Sequence, residues 1–159
     1  MSSADTSRIS YETFKNRQPG AYEALITLGN SATEGGLDKA LAELIKLRVS
    51  QINGCAFCLQ LHLNIARKLG IERAKLDLLA TWHDAGVFSE REAAALAWAE
   101  ALTRLSGVGV SDVDWAAVRE HFSEEETELL TITIGTINTW NRIAGPFRFT
   151  PLVPARETV

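Results

Sequence analysis

Residues 53–62 read NGCAFCLQLH and contain both cysteines of the 159-residue chain and one of its three histidines. If a helix begins at Asn53 or Gly54, then Cys55, Cys58 and His62 are spaced i, i+3 and i+7 and share one stripe of that helix. The two thiols and the imidazole are therefore predicted to contact one another. Phe57 is predicted to face the opposite side of the helix.

Helical patterns continue on both sides of this stretch. An apolar period of 3.6 residues, together with capping boxes that begin at Ser89 and Ser123, predicts helices over residues 21–30, 37–50, 55–69, 72–85, 90–105, 111–121 and 124–144. Residues 130–134 alternate as in a β-strand, but the longer helical pattern around them favours a helix. The sequence predicts an all-α, single-domain helical bundle of about six to seven helices.

Three segments are expected along the chain. Residues 1–18 are predicted to be an N-terminal arm, because Ile9, Tyr11 and Phe14 lack helical spacing. Residues 19–147 are predicted to form the helical domain, with Pro146 ending the last helix, and residues 148–159 a C-terminal tail. A chain of this length can bury a core without disulfides or metals.

The charge and composition narrow the possible partners and compartment. The formal net charge is −4, and basic residues do not cluster, which argues against a nucleic-acid or anionic-membrane partner. No stretch has the apolar length of a secretory signal or a membrane span, so a cytosolic location is expected. In a reducing compartment, two cysteines three residues apart favour redox chemistry or metal binding over a structural disulfide.

The chemistry of the cysteine pair has two competing assignments. A helix N-terminus lowers the pKa of a thiol and favours Cys55 as the nucleophile, whereas His62 lies one turn after Cys58 and favours Cys58. Whichever thiol is oxidised by a peroxide, the other is close enough to condense with it to a disulfide. A zinc site formed by Cys55, Cys58, His62 and Glu43 is a less favoured alternative, because the helical spacing differs from that of zinc knuckles.

Two charged residues of the predicted helix 37–50 stand out on a helical wheel. Arg48 falls in the apolar face, where a guanidinium requires a carboxylate or a subunit interface. Glu43 falls on the polar face beside Lys39 and Lys46, a pattern typical of a solvated surface charge.

Several motifs together resemble one known family. They are Glu43 followed by the CxxC pair and His62, the run LIKLRVSQINGCAFC at 44–58, EREAAALAWAEALT at 90–103, and INTWNR at 137–142. Across roughly residues 20–148 the chain resembles the AhpD-like alkylhydroperoxidases of the carboxymuconolactone decarboxylase superfamily. The sequence by itself assigns no role to Asn138, Asn141 or Arg142, which belong to the last of these motifs.

The resemblance implies an all-α homotrimer or homohexamer without a metal or bound cofactor. It implies that Cys58 attacks the peroxide, that Cys55 resolves the product, and that Glu43 and His62 relay protons. It further implies a dithiol reductant, either a lipoyl protein or a thioredoxin-like donor. The chain departs from well-studied members at Phe57, where they carry a histidine.

A thiol-dependent alkyl hydroperoxide reductase, with peroxiredoxin-type activity, is therefore the expected function. One alternative is a carboxymuconolactone decarboxylase-like enzyme in which the cysteines are incidental. Others are a disulfide reductase or redox switch on the same scaffold, without efficient peroxidase turnover, and a zinc-binding interaction module.

Overall fold

The computed structural model describes residues 6–154, which form helices and turns with no strand among them. The helices are α1 (Tyr11–Arg17), α2 (Pro19–Glu34), α3 (Lys39–Ile52), α4 (Ala56–Lys68), α5 (Arg73–Leu78), α6 (Trp82–Ala85), α7 (Glu90–Thr103), α8 (Asp112–Arg119) and α9 (Glu124–Phe147). A short 3-10 turn, Leu79–Thr81, separates α5 from α6. The all-α prediction is confirmed, with more helices than predicted.

Side-chain caps fix the starts of the main helices. Asp38 accepts from the Leu41 N–H at the start of α3, and Ser111 caps α8 in the same way. Both predicted capping boxes form, at Ser89 before α7 and at Ser123 before α9. These caps satisfy first-turn N–H groups that have no partner within the helix, so the local sequence sets where each helix begins.

The predicted arm contains a helix, which the sequence analysis missed. Ser10 caps α1 by accepting from the Thr13 N–H, and Phe14 is buried against Trp140, Phe147 and Phe149. These aromatic partners come from the far end of the chain, so the spacing of apolar residues within the arm could not reveal them. The ends of the predicted arm and tail, residues 1–5 and 155–159, lie outside the described residues.

Three other predicted helix boundaries were wrong. The first predicted helix extends to Glu34, because the Ser31 and Thr33 hydroxyls donate to carbonyls of their own helix. The predicted helix 72–85 is broken by the 3-10 turn. Helix α9 continues past Pro146 to Phe147 and ends at Arg148, whose φ of 54° is left-handed.

Helix α3 lies at the centre of the molecule, packed against α4, α7 and α9. Its side chains Leu44, Ile45, Leu47 and Val49 are almost completely buried. Within residues 6–154, no helix combines the length and the apolar character needed to cross a membrane. The central helix thus brings α4 and α9 together, and these two helices carry the cysteine pair and the INTWNR motif.

Arg48 of α3 meets a buried carboxylate, as its place in the apolar face requires. Its Nε donates to Glu100 Oε1 over 2.7 Å, and the indole of Trp82 donates to the same oxygen over 2.9 Å. Arg104 donates to Glu100 Oε2 over 2.6 Å. Burial alone would raise the pKa of Glu100, but the Trp82 and Arg48 hydrogen bonds and the two guanidinium charges hold it below its ordinary value.

Candidate functional site

The cysteine pair forms the first turn of α4. Gly54, with φ of 64°, makes the left-handed turn out of α3, and the Cys55 N–H then donates to the Ser50 carbonyl over 3.0 Å. Cys55 is the N-cap residue of α4, and the Cys58 N–H donates to its Sγ over 3.4 Å. Both cysteines are free thiols, 2% and 3% exposed. The predicted proximity of the two thiols to each other is confirmed.

The two sulfurs do not ionise alike. A hydrogen bond from the Cys58 thiol, supported by the Cys58 backbone N–H and the Asn141 amide, lowers the pKa of Cys55 to about 7 despite its burial. The same hydrogen bond to Cys55, together with burial, raises the pKa of Cys58 above its ordinary value. Ionisation of the pair therefore begins at Cys55 and leaves the proton on Cys58.

The Glu43 carboxylate is buried between the side-chain nitrogens of Lys46 and His62, so the prediction of a solvated surface charge is wrong. It is 5% exposed; its Oε1 accepts from Lys46 Nζ over 2.8 Å, and its Oε2 lies 2.7 Å from His62 Nδ1. The helical wheel missed this burial because it is α4, packed on α3, that covers Glu43 with His62. Burial would raise the pKa of Glu43, but the hydrogen bond and charge of His62 and the charge of Lys46 lower it below its ordinary value.

The ionised Glu43 carboxylate selects one tautomer of His62. A carboxylate only accepts, so Nδ1 carries the hydrogen that bridges to Glu43, and in the neutral form of the imidazole Nε2 keeps its lone pair. The imidazole is thereby held in one orientation with a basic nitrogen available for proton transfer.

A cavity of about 210 Å³ opens beside the second cysteine. Its polar lining includes Cys58, His62 and Lys46, whereas Cys55 does not line it. The rest of the lining is mainly apolar and comes from Leu25, Ile26, Phe57, Leu61, Ile65, Ile137 and Trp140. A small apolar molecule with one polar end would reach Cys58 first.

The sequence predicted that Phe57 faces away from the protein, and this prediction is wrong. It is 4% exposed and lines the same cavity, with its ring 5.2 Å from that of Tyr11 and 5.3 Å from that of Phe149. Helix α1 and the segment after α9 cover the side of α4 that the helical wheel assigned to solvent. The family histidine position is therefore occupied by a buried aromatic ring.

Four polar side chains of the site were missed or left without a role. Lys46 could have been found from its i+3 spacing to Glu43, and Tyr11 lines the cavity with its hydroxyl donating to Tyr22 over 3.0 Å. Asn141 and Asn138 of the INTWNR motif both accept from the Asn53 side chain, over 3.0 and 2.9 Å. That motif thus ties α9 to the turn before the cysteines.

The zinc alternative lacks a ligand set in this structure. Across the described residues, 6–154, no group of three or more His, Cys, Asp and Glu side chains is arranged to hold a metal ion. The Cys58 N–H instead donates to Cys55 Sγ, and His62 and Glu43 form a separate hydrogen-bonded pair.

Comparisons with known proteins agree with this architecture. Residues 19–101 match the model of the carboxymuconolactone decarboxylase family. YdfG of Bacillus subtilis (strain 168), an uncharacterised protein, is 36% identical over 126 residues, which cover 79% of this chain and 86% of YdfG.

Two solved structures share the fold. A protein of unknown function from Agrobacterium tumefaciens, described as a candidate antioxidant defence protein AhpD, superposes with a TM-score of 0.87 and 39% identity, covering 94% of this chain and all of the other. The apo form of the debrominase Bmp8 superposes with a TM-score of 0.76 at 20% identity, covering 86% of this chain and 73% of Bmp8, a likeness of fold alone. From the family match and these likenesses, the chain belongs to the carboxymuconolactone decarboxylase family and is AhpD-like within it.

Proposed function

We propose that this protein is a thiol peroxidase that reduces alkyl hydroperoxides, with Cys58 as the nucleophile and Cys55 as the resolving thiol. The observation that carries the proposal is the position of Cys58. Its thiol lines the apolar cavity with His62, and its backbone N–H donates to Cys55 Sγ, so the two cysteines lie side by side. The hydroperoxide carbon chain would occupy the apolar part of the cavity, with its O–O bond at Cys58.

The negative charge on Cys55 after the first ionisation is compatible with attack by Cys58. The proton between the two sulfurs passes from Cys58 to Cys55, which moves the negative charge to the sulfur that lines the cavity. The Cys58 thiolate attacks the terminal peroxide oxygen and the O–O bond breaks. Cys58 becomes a sulfenic acid, and the leaving alkoxide takes a proton delivered through His62 and Glu43 to become an alcohol.

The second half of the cycle uses Cys55. Its thiol loses a proton to the His62–Glu43 pair, and the resulting thiolate attacks the Cys58 sulfenic sulfur. The departing hydroxide takes up that proton and leaves as water, so a disulfide forms between Cys55 and Cys58. One thiol hydrogen, one proton taken up through the His62–Glu43 pair and one hydroperoxide have become a disulfide, an alcohol and a water molecule.

Turnover requires a dithiol donor that returns two electrons and two protons to the disulfide. A lipoyl protein or a thioredoxin-like protein is the proposed partner, and a homotrimer or homohexamer is the proposed assembly. Phe57 leaves Lys46 and His62 as the basic side chains of the cavity, so the proton relay has one basic group fewer than the family pattern.

Mass spectrometry of the reduced protein after one equivalent of cumene hydroperoxide tests the proposal. We expect the loss of two hydrogen atoms, located by peptide mapping to a bond between Cys55 and Cys58. In Cys55→Ser we expect one added oxygen atom on Cys58, trapped by a sulfenic-acid reagent. Persistence of two free thiols in the wild-type protein would contradict the proposal.

The matched variant Cys58→Ser separates the assignments and the alternatives. In Cys58→Ser we expect the peroxide to leave Cys55 unoxidised. The roles of the two cysteines would be exchanged if Cys55 were oxidised in Cys58→Ser and Cys58 were not oxidised in Cys55→Ser. A decarboxylase-like enzyme would retain its activity in Cys58→Ser. A redox switch would form the disulfide but show no turnover with any dithiol donor.

A further inference from the structure

One ammonium group lies in the wall of the cavity beside the second cysteine. Lys46 is the only one of residues 41–50 that is not buried, and it lines the cavity together with Cys58 and His62. Its Nζ donates to Glu43 Oε1 over 2.8 Å, its one side-chain hydrogen bond within the described part of the chain. Because an ammonium has three N–H donors, two of them are left for a molecule in the cavity.

The carboxylate that holds Lys46 lies behind this wall. Glu43 is 5% exposed and does not line the cavity. Its second oxygen, Oε2, lies 2.7 Å from His62 Nδ1, so a single carboxylate separates the ammonium from the imidazole. His62 in turn lies one helical turn after Cys58 on α4. A molecule that reaches Cys58 therefore meets the ammonium and the imidazole, and not the carboxylate.

The rest of the cavity wall gives an anion little support. Lys46 is the only Lys, Arg, Asp or Glu among the described residues that line the cavity. The hydroxyls of Thr133 and Thr136, which also line it, donate to carbonyls of their own helix and turn lone pairs to the cavity. In these mainly apolar surroundings, the attraction between an ammonium and a negative oxygen is stronger than in water.

We infer that Lys46 is the anion-binding residue of the cavity, and that in the proposed peroxidase reaction its ammonium binds the leaving oxygen, which makes Lys46 a further catalytic residue. The ligands that this arrangement fits have an apolar body and one anionic or oxygen-rich end. The catalytic part of the inference rests on the proposed function, whereas the binding of an anionic end does not.

In the reaction, Lys46 acts on the product of O–O cleavage. The Cys58 thiolate forms a bond from its sulfur to the terminal peroxide oxygen, and the electron pair of the broken O–O bond stays on the inner oxygen as an alkoxide. The Lys46 ammonium donates a hydrogen bond to this alkoxide, which then takes the proton delivered through His62 and Glu43. Lys46 keeps its own proton throughout, so the balance of the cycle is unchanged.

The charge that Lys46 presents to Cys58 can be measured without a peroxide. In a Cys55→Ser background Cys58 is the single thiol. Its alkylation rate is measured with iodoacetate, an anion, and with iodoacetamide, which is neutral and of similar size. The ratio of the two rates cancels any change in ionisation of the thiol. Adding Lys46→Met should lower this ratio about fivefold or more, because the anion loses the attraction of the ammonium.

Three further variants serve as controls for the alkylation ratio. Lys46→Arg keeps the positive charge and should keep the ratio. Lys39→Met removes the same charge from an exposed position of α3 that does not line the cavity, and it should leave the ratio within about twofold. Glu43→Gln takes away the counterion of the ammonium and should raise the ratio.

The catalytic role predicts which oxidants are affected by Lys46→Met. Cumene hydroperoxide releases an alkoxide, a strong base that needs stabilisation, whereas peracetic acid releases acetate, a weak base. Oxidation of Cys58, followed by mass spectrometry of quenched samples, should slow about a hundredfold with cumene hydroperoxide and less than about threefold with peracetic acid. Lys46→Arg should restore most of the rate with cumene hydroperoxide.

An unchanged alkylation ratio in folded Lys46→Met would overturn the inference. Equal losses with the two oxidants would overturn the catalytic role, since a purely structural defect slows both. If Lys46→Met does not fold, Glu43→Gln decides, and a ratio that does not rise there overturns the inference. A wild-type protein that leaves cumene hydroperoxide untouched would refute the proposed function and the catalytic role, whereas the alkylation ratios would still show whether Lys46 binds an anionic end.

Discussion

At the scale of single residues, Glu43 holds the two basic side chains that line the cavity. One carboxylate oxygen holds Lys46 and the other holds His62, and both of these side chains line the cavity with Cys58. The carboxylate itself is buried. Without its negative charge, the His62 tautomer is no longer selected and the ammonium of Lys46 has no counterion.

Glu43→Gln is expected to lower hydroperoxide turnover by about a hundredfold, because the neutral amide cannot relay protons through His62. The measurement is the steady-state rate with a saturating dithiol donor. The control is Glu23→Gln, at an exposed position of α2, which should keep the wild-type rate. A rate within about twofold of the wild type in Glu43→Gln would remove this residue from the proton relay.

Glu43 also makes the fold sensitive to acid. Its pKa is lower in the folded protein than in the unfolded chain, so its contribution to stability is present above the ordinary value of 4.5. That contribution is lost as the pH falls through the folded-state pKa. Urea unfolding from about pH 7 to about pH 3 should show the wild type losing its stability advantage over Glu43→Gln; a constant advantage would contradict the sign of this shift.

At the scale of elements, α3 carries Glu43, Lys46 and Arg48, and its start is fixed by one side chain. Asp38 Oδ1 accepts from the Leu41 N–H over 2.8 Å. The cap sets the register of α3, and the register places Glu43 toward α4 and Arg48 toward α7. The cysteine helix α4 begins with a cap of the same kind, in which a sulfur replaces the oxygen.

Asp38→Ala should lower the free energy of unfolding by about 1 kcal/mol, since a first-turn N–H of α3 loses its acceptor. Asp38→Asn keeps an oxygen acceptor and should cost less. Both changes are measured by urea unfolding monitored by circular dichroism. Equal losses in the two variants would show that the charge of Asp38, and not its cap, stabilises α3.

Helix α1 illustrates how an element can form part of a site it does not adjoin in sequence. Tyr11 lines the cavity, packs on Phe57 and bonds to Tyr22. Tyr11→Ala should enlarge the cavity and speed alkylation of the thiols by a bulky maleimide severalfold, whereas Tyr11→Phe should retain the wild-type rate. If the two variants react alike, the ring of Tyr11 does not restrict access to Cys58.

At the scale of the whole molecule, the Arg48–Glu100 pair joins α3 to α7. Both side chains are mostly buried, and the carboxylate is further bonded to Trp82 and Arg104. Removing one partner of such a pair leaves an uncompensated charge inside the protein. The pair thus holds the central helix to α7, which contributes no residue to the lining of the cavity.

Arg48→Met is expected to destabilise the fold by about 3–5 kcal/mol, measured as the free energy of unfolding in urea. The exposed pair between Arg73 and Asp77 provides the control, and Arg73→Met should leave that free energy unchanged within error. A small loss in Arg48→Met would mean that the Trp82 and Arg104 contacts suffice to hold Glu100.

Local sequence determined the helices and the composition of the cysteine cluster. Periodicity and capping boxes place α3, α4, α7 and α9 because both depend on residues a few positions apart. The i, i+3 spacing likewise brings Cys55 against Cys58, although α4 begins at Ala56, with Cys55 as its N-cap, and not at Asn53 or Gly54 as predicted. The sequence also indicated that Arg48 requires a carboxylate or a subunit interface, because its position in the apolar face follows from the residues of its own helix.

Only the tertiary structure decided which side chains surround that cluster. Glu43 looks solvated on its own helix and is buried because α4 covers it, and Phe57 faces inward because α1 and Phe149 cover its side of α4. Asn141 reaches the cysteine turn across a separation in sequence of 88 residues from Asn53. Contacts between elements depend on packing, which has no signature in the spacing of residues within one element.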